Sequence, residues 1–154
     1  LRGLARGEAM MDNDEIRRKT RLREAQSLER AVSRILGIGD LLCFEDLASR
    51  IHFQPNLSRS ILSTWEAENR VFSIIVDHEA LYPLYAFSPE GELLQCMNDI
   101  ILTLSPRKTG LGMALWFGSS NSYLAGKKPL ELLLLDPALV SSAARAEVCS
   151  FLQG

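Results

Sequence analysis

The sequence of 154 residues lacks the signals of a membrane or secreted protein. A membrane-spanning helix needs roughly 20 consecutive apolar residues. The leucine-rich stretch 130–135 is far shorter and is interrupted by Glu131. The first residues also lack the apolar core of a secretory signal. We therefore expect a cytoplasmic protein with no membrane partner.

Cysteine is scarce and follows no ligand or disulfide pattern. Cys43, Cys96 and Cys149 form an odd, widely spaced set without a CxxC pair, which is typical of reduced, buried thiols. His52 and His78 stand at no ligand-like spacing from any cysteine. The pattern therefore predicts no metal site.

The short patterns that carry catalytic chemistry are missing as well. The chain has no GxGxxG or GxxxxGK[ST] phosphate loop, no GxSxG nucleophile motif, and no paired carboxylates beside a base. Residues 109–112, TGLG, have too few glycines for a dinucleotide site. The sequence predicts no enzyme and no cofactor. A small enzyme whose Cys–His pair forms only in the tertiary structure is the disfavoured alternative.

The composition is that of a globular domain, with 47% hydrophobic residues, 23% charged residues and a net charge of −2. A protein that coats nucleic acid nonspecifically is usually basic overall. Any DNA contact must therefore come from a local basic patch, or from a dimer that places two such patches together.

The amino-terminal part is predicted to hold a disordered leader, residues 1–12, and a helix over residues 13–36. Apolar residues at helical spacing predict this helix, and Gly37 and Gly39 are predicted to end it. Its first half carries a basic run: Arg17, Arg18, Lys19, Arg21 and Arg23. The run is either a phosphate-touching arm or a solvated helix face, and the solvated face is favoured.

Two short amphipathic helices follow, near residues 44–51 and 59–66, separated by a break at Pro55. Ser58 is predicted to cap the second helix. This pattern is typical of a helix-turn-helix, although an αα-hairpin used only for packing stays open. In a helix-turn-helix, the second helix would present four residues to DNA bases and phosphates. These DNA-binding candidates are Ser58, Arg59, Ser60 and Ser63.

Two β-rich runs, residues 71–76 and 81–87, surround the polar turn 77–79 and predict a β-hairpin. A hairpin directly after a helix-turn-helix makes a winged arrangement. His78 is expected to be an exposed turn residue, and Pro83 predicts that the second strand lies at an edge. Residues 13–88 are predicted to form the first domain.

The remaining residues, 89–154, are predicted to form a second, helical domain. Apolar spacing predicts helices near residues 93–104 and 109–117. A short helix is predicted to start at Pro129, where the missing N–H costs nothing, and a last helix at residues 136–137. The predicted fold class is therefore mainly α with a small β-hairpin.

The segment WFGSSNSYLAGKKPLELL, residues 116–133, is called the motif turn below. It resembles the C-terminal domain of the MbcA/ParS/Xre antitoxins, which carry the pattern WF-x-x-x-N-x-x-L-x-G-x-x-P-x-D/E-L-L. Residues 41–87 are also similar to members in which Gly-Arg-Val-Phe leads into a hairpin with Tyr-Pro. Two departures are Asn69, in place of that glycine, and a longer break at residues 52–56. The matching positions are Trp116, Phe117, Asn121, Leu124, Gly126, Pro129, Leu130, Glu131, Leu132 and Leu133.

The resemblance implies the antitoxin of a type II toxin–antitoxin pair. Its C-terminal domain would bind and neutralise a RES-domain toxin that consumes NAD, and its N-terminal part would bind operator DNA and repress both genes. A homodimer, or a hetero-oligomer with the toxin, is expected. The alternative is a solitary helix-turn-helix regulator or adaptor without a toxin. The expected toxin-binding residues are Trp116, Phe117, Asn121, Tyr123, Leu124, Gly126, Lys127, Lys128, Pro129 and Leu132.

Backbone chemistry explains much of the motif turn as scaffolding. Gly126 suits a positive φ, Pro129 suits a helix start, and Asn121 can bond the backbone of its own turn. We therefore predict that the partner docks on the neighbouring apolar surface. The candidates there are Phe117, Tyr123, Leu132, Leu134 and Leu135.

Overall fold

A computed structural model describes residues 12–38, 40–51 and 56–153. The described chain is mainly helical and contains a small three-stranded antiparallel sheet, which agrees with the predicted fold class. It divides into two compact units, one ending at Arg34 and the other beginning at Ile35. Apart from Asp12, the predicted leader lies outside the described residues. The predicted domain boundary at residue 88 stays a prediction.

Helix α1, Asn13–Ile38, confirms the first predicted helix. Asp14 and Glu15 lie in its first turn, where their negative charges interact favourably with the positive end of the helix dipole and stabilise the helix. Its basic residues are exposed, and Lys19 pairs with Glu15 one turn away at 3.5 Å. The helix continues through Gly37, where the sequence predicted its end, and Gly39 lies outside the described residues.

The predicted hairpin is confirmed as strands β2, Ile74–Val76, and β3, Glu79–Pro83. Asp77 and His78 join the strands with φ values of 50° and 66°. Two central residues with positive φ define the type I′ turn, whose twist matches that of the flanking strands. His78 is exposed, as expected.

The prediction that Pro83 places its strand at an edge is wrong. A further strand, β1 (Leu41–Leu42), pairs with β3, so β3 is central in the order β1-β3-β2. Leu41 lies opposite Pro83. Proline is tolerated because it is the last residue of β3, where the ladder ends. Two residues are too few to show strand periodicity, which is why β1 escaped prediction.

Helix α2, Phe44–Arg50, and helix α3, Arg59–Ala67, confirm the predicted helix pair. Each buries one leucine completely, Leu47 in α2 and Leu62 in α3. Ser58 caps α3 as predicted, because its Oγ accepts a hydrogen bond from the Ile61 N–H at 3.2 Å. Residues 52–55, including the predicted break at Pro55, lie outside the described residues.

The second half consists of helices α4 (Cys96–Leu104), α5 (Gly110–Phe117), α6 (Pro129–Leu132) and α7 (Pro137–Gln153). Two 3₁₀ helices, Leu84–Ala86 and Ser122–Leu124, complete the fold. Helix α7 packs against α4, α6 and the second 3₁₀ helix. Helix α4 begins later than predicted, because Leu93 forms an isolated β-bridge with Phe87 instead.

The start of α5 lies very close to the backbone before β2. A Cβ atom on Gly110 would lie 2.1 Å from the carbonyl oxygen of Ser73, so only glycine fits there. At the other end of α5, the Phe117 ring stacks on Phe72 and contacts Tyr85, with centroids 5.8 and 5.2 Å apart. Helix α5 is thereby fixed to the strand region at its first and last residues.

Candidate functional site: the motif turn

Half of the ten expected toxin-binding residues in the motif turn belong to the core. Five of the expected toxin-binding residues are buried, Phe117 completely. The Trp116 ring meets the Phe117 ring edge to face at 5.0 Å, an arrangement that aromatic pairs favour. Side chains covered in this way hold α5, the turn and α6 together and offer little area to a partner. The buried five are Trp116, Phe117, Leu124, Pro129 and Leu132.

The polar half of the motif closes the turn on itself. The Asn121 Oδ1 accepts from the Tyr123 N–H at 2.9 Å, as predicted. The Asn121 backbone donates to the Lys127 carbonyl at 3.0 Å and accepts from the Gly126 N–H at 2.8 Å. Glu131 then accepts from the Lys128 N–H at 3.1 Å. These bonds satisfy the backbone groups of a turn that has little regular structure.

The turn requires two consecutive residues in the left-handed region. Ala125 has φ of 57° and Gly126 has φ of 85°. The positive φ predicted for Gly126 is confirmed. An L-residue with a Cβ atom is disfavoured in this conformation by roughly 1–2 kcal/mol, so Ala125 is held there by the bonds around it.

The exposed part of the region forms what we call the rim: Tyr123, Leu134 and Leu135, which are 53%, 56% and 80% exposed. Of the five predicted docking residues, Phe117 and Leu132 are therefore buried and these three are accessible. Lys127 is also exposed, and Lys128 is half-buried at the start of α6.

A cavity of about 400 Å³ opens beside the motif turn, and we call it the serine groove. It is lined by residues 119–122 and by Lys108, Gly112, Leu115, Trp116 and Glu147. The Lys108 Nζ lies 3.1 Å from the Glu147 carboxylate, and both side chains are largely covered. A second cavity of about 300 Å³ shares Asn121, Ser122 and Glu147 with it and continues to Tyr123.

The indole nitrogen of Trp116 is buried and has no hydrogen-bond partner. Among the described residues, the same is true of only one other buried side-chain atom, the Tyr85 hydroxyl. Both rings contact Phe117. An unpaired buried N–H or O–H costs about 1–3 kcal/mol relative to a satisfied one, so this part of the core is not optimised for stability.

Three of the four DNA-binding candidates already make contacts within the chain. Arg59 forms an ion pair with Glu45 of α2, and its guanidinium lies 4.9 Å from the centre of the Phe44 ring. Ser58 is used as the helix cap, and its Oγ lies 3.0 Å from that of Ser60. Ser63 is exposed.

The charge around the helix pair is mixed. The carboxylate of Glu45 accepts a bond from its own backbone N–H and faces Arg59, and both lower its pKa. The negative charge beside Arg59 is therefore stable and would oppose a phosphate. Residues 44–70 carry three arginines, Arg50, Arg59 and Arg70, against four acids, Glu45, Asp46, Glu66 and Glu68.

Asn69 stands where the resembling family has glycine, and its φ is 58°. Asparagine is among the few non-glycine residues that occupy this region readily. The Asn98 side chain fixes the bend by donating to the carbonyl oxygens of Glu68 and Asn69 at 3.0 and 3.2 Å. The departure from glycine therefore keeps the backbone shape that glycine would allow.

One group of side chains in the described residues has the spacing of metal ligands. The Cys43 sulfur and carboxylate oxygens of Glu45 and Glu79 lie within 4.8 Å of one another. The Glu45 carboxylate is already compensated by Arg59. Sequence spacing could not have found this group, since β3 and the start of α2 meet only in the fold.

The serine groove could not be predicted from the motif alone, because Lys108 and Glu147 lie outside the motif and join it only in the fold. Among the described residues, no helix combines the length and apolar content that crossing a membrane requires. Comparisons of the chain with models of protein families, with curated proteins and with solved structures gave no match.

Proposed function

We propose that this protein is the antitoxin of a type II toxin–antitoxin pair, which binds and neutralises a RES-domain, NAD-consuming toxin and represses its own operon. The observation that carries the proposal is the partition of the motif turn. Its apolar residues are buried, its polar residues close the turn, and the adjoining rim of Tyr123, Leu134 and Leu135 is exposed. Such a partition favours a rigid scaffold that displays an apolar docking surface.

Apolar exposure at the rim supports a protein partner. Leu134 and Leu135 lie in the short link between α6 and α7, and their exposed side chains add little to the stability of the fold. Aromatic residues such as tyrosine are enriched among the residues that dominate binding energy at protein interfaces. In this proposal NAD chemistry belongs to the toxin, and this chain blocks it by binding.

Co-expression with a RES-domain toxin encoded beside this gene tests the proposal. The wild-type chain is expected to restore growth and to co-purify with the toxin. Tyr123→Asp and Leu135→Asp are each expected to weaken toxin binding by about 30-fold, as for an interface residue worth about 2 kcal/mol. Leu102→Asp is the control, because Leu102 is 50% exposed on α4, outside the rim.

Absence of both rescue and co-purification with the wild-type chain contradicts neutralisation. Repression without any toxin in the genome favours the solitary regulator instead. Equal losses in the rim and control variants would place the toxin contact elsewhere on the chain.

Operator binding is the second half of the proposal, with α2 and α3 as a helix-turn-helix and the β2–β3 hairpin as its wing. Supporting it are the adjacency of the helix pair and hairpin in sequence, and the exposure of Arg59, Ser60 and Ser63 on α3. On DNA, the Arg59 guanidinium would leave the Glu45 carboxylate and pair with a DNA phosphate instead.

Gel-shift titration on the promoter DNA of this gene measures that exchange. Arg59→Ala is expected to weaken binding and to lower the salt dependence by about one phosphate contact. Glu45→Gln is expected to strengthen binding, because it removes the competing carboxylate. Unchanged affinity in both variants would show that this pair does not face DNA, and neither change should affect toxin binding.

A further inference from the structure

The serine groove has a lining that suits a peptide chain better than a small metabolite. Small-molecule sites are lined mostly by apolar and aromatic side chains with a few polar groups. Here six of the nine lining residues are polar or charged: Lys108, Ser119, Ser120, Asn121, Ser122 and Glu147. Hydroxyl groups both donate and accept, so they can follow the alternating N–H and C=O groups of a backbone.

The shape of the cavity also favours an extended ligand. The second cavity shares Asn121, Ser122 and Glu147 with the groove and is also lined by Tyr123 and Ser150, so the two cavities lie side by side. Tyr123 belongs to the rim, so the groove leads to the proposed docking surface. A bound segment could therefore belong to the same partner that covers the rim.

The charge of the groove is balanced. Lys108 and Glu147 pair with each other at 3.1 Å, with side chains 16% and 30% exposed. A ligand with a strong charge of either sign would have to break this pair, and a largely covered ion pair is expensive to separate. The groove therefore selects an uncharged segment.

Trp116 supplies the group that a peptide could satisfy. Trp116 lines the groove, and its Nε1–H has no partner. Indole is a donor only, so the group needs an acceptor such as a backbone carbonyl.

We propose that the serine groove binds an uncharged, extended peptide segment of a partner protein, whose backbone carbonyl accepts a hydrogen bond from Trp116. The identity of the partner as the toxin rests on the proposed function. Peptide binding by the groove does not, and it is tested without the toxin.

The probe is a library of random 12-residue peptides displayed on phage and selected on the full chain. Enriched peptides are expected to be uncharged and to lose binding to Ser120→Phe, which fills the groove from an exposed position. Ser33→Phe is the matched control, since Ser33 is exposed on α1 and lines none of the described cavities. Trp116→Phe keeps an aromatic ring but removes the donor, and should weaken binding by roughly fivefold.

A spectroscopic readout follows the proposed hydrogen bond directly, without replacing Trp116. The chain has two tryptophans, Trp65 and Trp116. In a Trp65→Phe background, the single indole N–H resonance reports Trp116. Peptide binding is expected to move that resonance downfield and to slow its exchange with water.

Three results would overturn the proposal: no enriched peptides, enriched peptides that bind Ser120→Phe as well as wild type, or an indole resonance unchanged at saturation. If peptides bind the groove but the chain neutralises no toxin, the proposed function fails while the groove assignment stands. If the toxin binds equally to wild type and Ser120→Phe, the toxin uses the rim alone.

Discussion

Short sequence patterns predict binding sites at both the motif turn and the α2–α3 pair. The candidate residues of the two regions differ in their burial and in their hydrogen-bond partners. In the α2–α3 pair the candidates lie on the surface, where Ser58 caps α3 and Arg59 pairs with Glu45. In the motif turn five of ten candidates are buried, and Trp116 keeps an unpaired N–H. In the α2–α3 pair, Ser58 and Arg59 at the surface already have polar partners. In the motif turn, a buried polar group, the Trp116 N–H, has none.

This difference separates two reasons why a residue belongs to a pattern. The motif letters W, F, L, P and L describe packing, so they identify the fold more directly than the contact surface. The accessible groups near the turn, Tyr123, Leu134 and Leu135, are outside the fixed letters of the pattern or beyond its end. In the proposed function, the pattern match would therefore locate the binding region without naming the residues that touch the partner.

The largest expected effect tests whether the motif letters act in the core. Phe117→Ala is expected to lower the free energy of unfolding by about 3–5 kcal/mol, because it leaves a cavity among three aromatic rings. Tyr123→Ala, from the exposed part of the same turn, is expected to change it by less than about 0.5 kcal/mol. Urea unfolding followed by circular dichroism measures both. Similar losses in the two variants would remove the distinction between scaffold and rim.

The second test concerns the two left-handed residues of the turn. Gly126→Ala is expected to destabilise the chain by about 1–2 kcal/mol, since it adds a Cβ atom at φ of 85°. Ala125→Gly is expected to act in the opposite direction, because relief of the left-handed alanine outweighs the added freedom of glycine in the unfolded chain. Thermal unfolding of the two variants shows the sign of each change. Two changes of the same sign would contradict the backbone account.

The third test applies to the α2–α3 pair. Ser58→Ala is expected to cost about 1 kcal/mol, because it removes the cap from the Ile61 N–H. Ser63→Ala is the matched control, since Ser63 is exposed within α3 and alanine favours helix; we expect no loss of stability. If both substitutions cost the same, the serines act through something other than capping.

The sequence predicted elements whose cause is local. Ser58 as a cap, Pro129 as a helix start and Gly126 at positive φ follow from neighbouring residues, and all three are confirmed. Strand β1 was missed because its paired residues lie 40 and 42 residues further along the chain, and two residues carry no periodicity. The serine groove escaped for the same reason, since Glu147 comes from α7 and Lys108 from before α5.

The smallest expected effect at neutral pH concerns the Tyr85 hydroxyl, which is buried and unpaired like the Trp116 N–H. Tyr85→Phe removes a buried hydroxyl that has no partner and keeps the ring against Phe117. Removing an unsatisfied group is expected to leave the stability at pH 7 unchanged or to raise it by up to about 1 kcal/mol. A clear loss would mean that the hydroxyl is satisfied in solution.

The same variant has a larger signature at alkaline pH. Burial, with the nearby charge of Asp40, raises the pKa of Tyr85 well above its ordinary value of 10.0. Above about pH 10 the unfolded chain loses the tyrosine proton while the folded chain keeps it. The unfolded state then binds fewer protons than the folded state, so the free energy of unfolding falls as pH rises. Tyr85→Phe lacks this loss, and its free energy of unfolding should decline less steeply than wild type above about pH 10. Tyr82, whose pKa burial also raises, contributes equally to both proteins. The difference between the two curves therefore isolates Tyr85, and parallel curves would show that its hydroxyl is not sequestered in the core.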